Sequence, residues 1–208
     1  MPAYPLRMRI GYFGGSFDPP HRGHLLLARL AADAFHLDRV LFAPTGRQPL
    51  KDHIAHAEFA DRMAMVRLLC ASEPGFEVVD LDAPHPHGSP NYTVDALEEL
   101  RRREPDADLF ALAGADSFLS LPRWRDPQRL LELAEWIVVS RPEFPLEELD
   151  ALGLTAEQRA RVHVLNTLHD DTSATEIRAR LRYGVTPADR LKPEVLLYIA
   201  RMHLYHAR

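Results

Sequence analysis

Short apolar runs alternate along the chain with longer segments in which apolar residues recur every three or four positions. A continuous apolar run of about four to eight residues, bounded by turn-forming residues, is typical of a strand that is buried on both faces. Such runs predict β-strands at residues 7–13, 39–43, 76–80, 108–114, 135–140 and 161–166.

Helical spacing of apolar residues fills the intervals between these strands. The alternation predicts an α/β fold, a Rossmann-like doubly wound parallel sheet with helices on both faces. Because no repeat or linker interrupts the pattern, we expect one domain over 1–208, with the C-terminal helices (about 172–208) packed on it. The predicted helices cover residues 25–35, 58–71 and 92–103, begin near Ser173 and Pro193, and include a small helical connection within 143–158.

Polar motifs follow four of the predicted strands. GGSFDPPHRGH (14–24) follows the first strand, GADS (114–117) the fourth, SRP (140–142) the fifth and TSATEIR (172–178) the sixth. In a doubly wound sheet, ligands bind outside the carboxyl ends of the strands. We therefore expect these motifs to meet in one crevice.

The segment 14–24 joins a strand to a helix through a glycine turn. Free amides at a helix N-terminus attract phosphate, and His21 and His24 each offer an imidazole N–H at that point. Neither the dinucleotide fingerprint G-x-G-x-x-G nor the Walker loop is present. Two other interpretations stay open: a turn with capping residues, and a metal site of His21 and His24 with His85 or His87, which lacks a neighbouring carboxylate pair.

The segment TSATEIR has two interpretations that can hold together. Ser173 and Glu176 have the spacing of a capping box, which would begin a helix. Thr175 and Arg178 lie on one exposed edge near the same helix N-terminus, where a hydroxyl and a guanidinium suit a polyphosphate. In GADS, Asp116 has the residue type of a helix cap.

Composition narrows the class of protein. The chain is 46% hydrophobic and 26% charged, and its net charge of -5 and pI of 6.1 argue against a nucleic-acid binder that neutralises many phosphates. The single cysteine, Cys70, excludes an intramolecular disulfide and fits a reducing compartment. Since no apolar run has the length of a membrane span and no signal peptide is visible, we expect a cytoplasmic protein without a membrane partner.

Two of these segments resemble the signatures of one enzyme family. His21-Arg22-Gly23-His24 is similar to the H-x-G-H signature of the nucleotidyltransferase superfamily, in the GGSFDPPHxGHL form of bacterial nicotinate mononucleotide adenylyltransferases. TSATEIR resembles the second signature, I-S-x-T-x-I-R, with Thr172 in place of the isoleucine. The resemblance implies transfer of AMP from ATP to nicotinate mononucleotide in NAD biosynthesis, giving nicotinate adenine dinucleotide and pyrophosphate with Mg²⁺ as cofactor.

The resemblance also implies catalytic and ATP-binding residues. His21, His24 and Arg178 would be catalytic, with His24 nearest the transferring phosphate. The G-x-D-S motif of the family contacts the nucleotide ribose, which implies that role for Asp116. The residues implied for ATP binding are Gly14, Gly15, Ser16, Phe17, His21, His24, Gly114, Asp116, Ser173, Thr175 and Arg178.

On the acceptor side the chain departs from the family pattern in places. The loop 44–53 is similar to P-x-x-x-P-P-H-K, but Leu50 stands in place of the histidine and cannot supply its imidazole. NYT (91–93) resembles S-Y-T, a helix start whose amides receive the nicotinate carboxylate, and Trp124 stands where the family stacks an aromatic ring on the pyridine. The residues implied for acceptor binding are Lys51, Thr93, Trp124, Arg125 through its backbone amide, and Arg141.

Three rival functions stay open on sequence alone. The acceptor could instead be nicotinamide mononucleotide or phosphopantetheine. H-x-G-H also resembles a signature of class I aminoacyl-tRNA synthetases, which the acidic pI disfavours, and a third rival is a nucleotide-binding sensor without catalysis. ATP and nicotinate mononucleotide are the expected partners, with no nucleic acid, and the sequence does not determine whether the chain forms a homo-oligomer.

Overall fold

A parallel sheet forms the centre of the molecule in the computed structural model, which describes residues 7–50, 55–140, 147–166 and 172–206. Its strands are β1 (Arg9–Gly15), β2 (Arg39–Pro44), β3 (Phe76–Val78), β4 (Asp108–Gly114), β5 (Glu135–Ser140) and β6 (Val162–Asn166). Their order is β3-β2-β1-β4-β5-β6, and every pair of neighbours is parallel. The predicted doubly wound α/β fold is confirmed.

Helices connect these strands throughout the described residues. They are α1 (Arg22–Phe35), α2 (Phe59–Cys70), α3 (Thr93–Arg103), α4 (Ala115–Phe118), α5 (Pro127–Leu133), α6 (Glu147–Asp150), α7 (Ala156–Ala160), α8 (Ala174–Arg182) and α9 (Pro193–Arg201), with a 3-10 turn at Leu121–Arg123. The small helical connection expected within 143–158 is made by α6 and α7. Helix α5 is not among the predicted helices, although an Asp-Pro pair marks its start: Asp126 is its N-cap and accepts a 3.2 Å hydrogen bond from the backbone of Arg129.

Buried apolar side chains cover both faces of the sheet. Successive strand residues point to opposite faces, so Tyr12 belongs to one core and Phe13 to the other. The first core is covered by α3 and α5, and the second by α1, α2, α8 and α9. In α9, Val195 and Ile199 are fully buried in the second core, where α9 packs against α2.

The order in which successive strands are added to the sheet changes direction at β1. The chain moves from β1 outward to β2 and β3, then returns to place β4 on the other side of β1. The pairing of β1 with β2 continues to Gly15, whereas its pairing with β4 stops at Tyr12. The carboxyl ends of β1 and β4 therefore separate, and a crevice opens where ligands bind in such sheets.

Candidate active site

This crevice is a cleft of about 1330 Å³, lined by residues from the ends of β1, β2, β4 and β5 and from the start of α8. Three of the polar motifs, at 14–24, 114–117 and 172–178, meet there as the strand pattern predicts, and of the fourth only Ser140 is described, which also lines the cleft. Two of the residues implied by the resemblance, Lys51 and Arg141, lie outside the described residues. The others all line the cleft: Gly14, Gly15, Ser16, Phe17, His21, His24, Thr93, Gly114, Asp116, Trp124, Arg125, Ser173, Thr175 and Arg178.

The two histidines stack on each other where α1 begins. His21 is the N-cap residue of α1, and its ring centroid lies 3.7 Å from that of His24. The backbone N–H of His21 donates to Nδ1 of His24 at 3.2 Å. Because Nδ1 accepts this bond, the neutral ring of His24 carries its proton on Nε2, which makes Nε2 a hydrogen-bond donor.

Phe17 packs its ring against His24, the second histidine of this pair. Its ring is 1% exposed and packs edge-on against His24 at 4.9 Å and against Phe13 at 5.3 Å. Its backbone has a φ of 47°, a left-handed conformation that is unusual for a bulky residue. Since the ring belongs to the core, a contact between Phe17 and a ligand would come from its main chain.

Gly14 is required by a close approach within the same motif. A Cβ added there would lie 2.8 Å from the hydroxyl oxygen of Tyr12, too close for any side chain. That hydroxyl is buried and has no hydrogen-bond partner among the described residues, and Tyr12 is one of the residues around the cleft. The Tyr12 hydroxyl therefore fills the space beside Gly14 that a side chain at that position would need.

Arg178 joins the second signature to the first. Its guanidinium donates 2.7 Å to the main-chain oxygen of Asp18 and 3.1 Å to Oγ1 of Thr175. The capping-box interpretation of Ser173 with Glu176 is wrong: Ser173 is the N-cap of α8 by position, but its hydroxyl makes no capping bond. The serine side chain therefore does not occupy the first-turn amides of α8.

Gly114 and Asp116 stand at the end of β4. Gly114 is the N-cap of α4 and has no atom within 4 Å of an added Cβ, so its backbone faces open space in the cleft. Asp116 is exposed and lies inside the first turn of α4. The alternative in which Asp116 caps the next helix is wrong, because Gly114 caps α4 and Asp126 caps α5.

The opposite wall of the cleft is built by the start of α3 and the turn before α5. Trp124 donates from Nε1 to Oγ of Ser120 at 2.7 Å and packs edge-on against Trp136 at 5.6 Å, so one half-buried ring both packs and lines the cleft. The guanidinium of Arg125 lies 4.7 Å from the ring centre of Tyr92, which is the N-cap of α3. This contact holds the charged group of Arg125 beside the helix start.

The alternative metal site is not formed in the described residues. His85 and His87 are exposed and do not line the cleft. That part of the chain also contains no group of three or more histidine, cysteine, aspartate or glutamate residues that could hold a metal ion. No helix found there has the length and apolar character needed to cross a membrane.

Comparison with known proteins identifies the family. A family model described as cytidylyltransferase-like matches residues 12–180. A protein of Gemmatimonas aurantiaca named "Probable nicotinate-nucleotide adenylyltransferase" is 41% identical over 199 residues, which cover 95% of this chain and 92% of that protein. A protein of the same name from Thermus thermophilus is 41% identical over 200 residues, covering 95% of this chain and 100% of that protein. The chain belongs to the nicotinate-nucleotide adenylyltransferase family.

The fold is shared with solved structures of much lower sequence identity. The nicotinic acid mononucleotide adenylyltransferase of Plasmodium falciparum complexed with NaAD matches with a TM-score of 0.72 at 18% identity, over 96% of this chain and 98% of that one. The same protein complexed with APC matches with a TM-score of 0.71 at 17% identity. The fold in which the crevice opens is therefore also found in solved structures that share less than a fifth of its residues.

Arg62 is a functional-site residue of the adenylyltransferase that the sequence analysis missed. It is 2% exposed and donates to the main-chain oxygens of Ser16 at 2.7 Å and Thr45 at 2.8 Å, so it joins the loops after β1 and β2. Burial lowers its pKa, although nearby acidic groups act in the opposite direction. Its spacing from Val66 and Leu69 on the buried stripe of α2 is the signal that could have found it.

Asp82 was also missed and lies in the wall of the cleft. Burial raises the pKa of its carboxyl group to about 6, and a hydrogen bond from Thr45 and the charge of Arg62 offset part of that effect. It is only 4% exposed. No local pattern marks it, because its burial depends on the loop after β2 folding over the loop after β3.

Proposed function

We propose that the protein transfers the adenylyl group of ATP to nicotinate mononucleotide, giving nicotinate adenine dinucleotide and pyrophosphate. The observation that carries this proposal is the 2.7 Å bond from Arg178 to the main chain of Asp18. This bond brings the second signature of the family against the first, so histidine, hydroxyl and guanidinium donors line one cleft at two helix starts.

The reaction needs no nucleophile from the protein. An oxygen of the acceptor phosphate forms a bond to the α-phosphorus of ATP, while the bond from that phosphorus to the pyrophosphate oxygen breaks and carries its electron pair away. The protein has to hold two anions in line and stabilise the charge that develops on the phosphoryl oxygens. His24 suits this task, because its Nε2 carries the proton that can be donated to such an oxygen.

Different walls of the cleft bind the two substrates. In this proposal His21, Ser173, Thr175 and Arg178 hold the phosphates of ATP. The main chain of the glycine turn, Gly114 and Asp116 receive its nucleoside. Thr93, Trp124, the backbone amide of Arg125 and, outside the described residues, Lys51 and Arg141 bind the acceptor.

Magnesium enters this proposal together with ATP. Mg²⁺ prefers oxygen ligands and keeps several waters, so waters and phosphate oxygens together can supply most of its coordination shell. Among the residues that line the cleft, His21, Thr175 and Arg178 offer hydrogen-bond donors that suit phosphate oxygens rather than a cation. The bound ion would neutralise part of the charge that repels the incoming acceptor phosphate.

The test is pyrophosphate release with ATP and Mg²⁺, comparing nicotinate mononucleotide with nicotinamide mononucleotide at equal concentration. We expect a strong preference for the nicotinate form, because amides at a helix start favour a carboxylate over a neutral amide group. Equal or reversed rates would contradict the acceptor assignment and leave adenylyl transfer in place. No release with either acceptor would direct the search to phosphopantetheine and then to a binding-only role.

A further inference from the structure

The chain turns back toward the active site after α9. His203 and Tyr205 have φ values of 53° and 65°, and this left-handed pair reverses the backbone after α9. Leu204 and Tyr205 then pack against the second core. The Tyr205 hydroxyl donates to Oδ1 of Asp18 at 2.8 Å, across 187 positions of sequence. Burial and the charge of Asp18 raise the pKa of Tyr205, so its hydroxyl keeps the proton that it donates.

Asp18 is the point at which this contact reaches the histidine motif. Its carboxylate is 5% exposed and also accepts bonds from the backbone N–H groups of His56 at 2.7 Å and Ala57 at 3.1 Å. Burial by itself would raise the pKa of Asp18, but the hydrogen bonds from these amides and from Tyr205, with the charge of Arg178, lower it overall. The carboxylate is therefore a charged anchor inside the loop between β1 and α1.

The same residue holds Arg178 through its main chain. Tyr205 bonds to the carboxylate of Asp18, and Arg178 bonds to the carbonyl oxygen of Asp18. A rotation or shift of Asp18 would therefore move the guanidinium and also the turn that leads to His21. Tyr205 itself does not line the cleft.

We propose that Tyr205 is a positioning residue, which fixes Asp18 and so sets Arg178 and the histidine turn in the geometry that binds the phosphates of ATP. This inference rests on the proposed function. The two backbone amides still hold the Asp18 carboxylate when the Tyr205 hydroxyl is removed. The expected effect is therefore a loosening of the ATP site and not its collapse.

The chain offers a matched control for this hydroxyl. Tyr198 lies in α9, and its hydroxyl also donates 2.8 Å to an aspartate carboxylate, that of Asp61. Asp61 is in α2 and does not line the cleft. Tyr205→Phe and Tyr198→Phe thus remove the same kind of bond from the same region of the chain, and they differ in whether the acceptor carries the active-site loop.

The experiment measures the KM for ATP, the KM for nicotinate mononucleotide, kcat and Tm for both variants. We expect Tyr205→Phe to raise the KM for ATP roughly tenfold, as suits the loss of one hydrogen bond to a charged group. The KM for the acceptor should stay within about twofold, since the acceptor wall is built by other elements. Tyr198→Phe should leave both KM values unchanged.

Two results would overturn the inference. One is a Tyr205→Phe enzyme with the same kinetics as Tyr198→Phe. The other is an equal rise in both KM values together with a lower Tm, which indicates general loosening of the fold. If the wild-type protein releases no pyrophosphate with any acceptor, the proposed function fails. The inference is then tested by the Kd for a non-hydrolysable ATP analogue, which Tyr205→Phe should raise and Tyr198→Phe should not.

Discussion

His21 and His24 stack on each other but are held differently. His21 is 7% exposed and occupies the N-cap position of α1, whereas His24 is half-buried and accepts the backbone N–H of His21. His24 therefore has two separable tasks, one on each ring nitrogen. Nδ1 orders the start of the helix, and Nε2 offers a proton toward the cleft.

Replacing His24 separates these tasks. We expect His24→Ala to cost roughly 3–4 kcal/mol of transition-state stabilisation, a loss of about 10²- to 10³-fold in kcat/KM. His24→Asn should lose as much activity, because asparagine has no atom at the Nε2 position. Its side-chain oxygen can still accept the His21 N–H, so its Tm should exceed that of His24→Ala. Pyrophosphate release and thermal unfolding measure the two effects, and near-normal turnover in either folded variant would remove the role of His24.

The raised pKa of Asp82 makes the stability of the fold depend on pH. Because burial raises the folded-state pKa to about 6, the folded protein keeps a proton that the unfolded chain releases at about pH 4. Stability therefore falls as the pH rises from about 4 to 6. Asp82→Asn removes this pH dependence. The free energy of unfolding of the variant, measured relative to wild type, should therefore increase by roughly 2–3 kcal/mol from pH 4.5 to pH 8. Thermal unfolding at both pH values measures the gain, and the exposed Asp80→Asn serves as the control that should show none.

At the scale of elements, α2 fastens two loops of the site through one buried side chain. Arg62 accounts for bonds to the oxygens of Ser16 and Thr45 and for a longer 3.3 Å bond to Ala57. Arg62 thus supplies a hydrogen-bond donor to three main-chain oxygens at once. The helix thus does more than cover the sheet, since it also sets the shape of the cleft.

Arg62→Met tests this function of α2. Methionine keeps an apolar stem but removes the buried guanidinium that donates to these carbonyls, which should cost roughly 2–5 kcal/mol in the free energy of unfolding. Urea denaturation measures the cost. Arg67→Met, on the exposed side of the same helix, should change stability by about 0.5 kcal/mol or less. Equal effects of the two substitutions would show that the buried bonds contribute nothing specific.

The elements themselves follow from local sequence, and the fastening of the loops does not. Every described strand overlaps a predicted apolar run. A strand that is covered by helices on both faces is apolar at successive positions and does not alternate between apolar and polar residues. Helical spacing marks Arg62 as buried, but no local pattern identifies the partners of Arg62 or Asp18, because these lie far along the chain: 46 positions away for Arg62 with Ser16 and 187 for Asp18 with Tyr205. Only the folded chain brings these groups together.

For the molecule as a whole, the parallel order of the strands brings the polar motifs into one cleft. The motifs at 14–24, 114–117 and 172–178 are scattered in sequence, yet they share one cleft because their strands are parallel and end at one edge. This convergence could be predicted from the alternation of elements. The dual role of Trp124, which packs on Trp136 while it lines the cleft, could not, because sequence carries no record of which face of a ring stays open.

The hydrogen bond between Asp18 and Tyr205 can form only after all of the residues between them have been synthesised. The two residues are 187 positions apart, so a ribosome adding about 5–20 residues per second needs about 10–40 s to make the second after the first. Throughout that interval the nascent chain carries its histidine motif without the hydroxyl that anchors it. If Tyr205 positions the ATP site as proposed, the nascent chain reaches full affinity for ATP only after residue 205 has been added, and a fragment that stops before residue 205 should bind ATP more weakly.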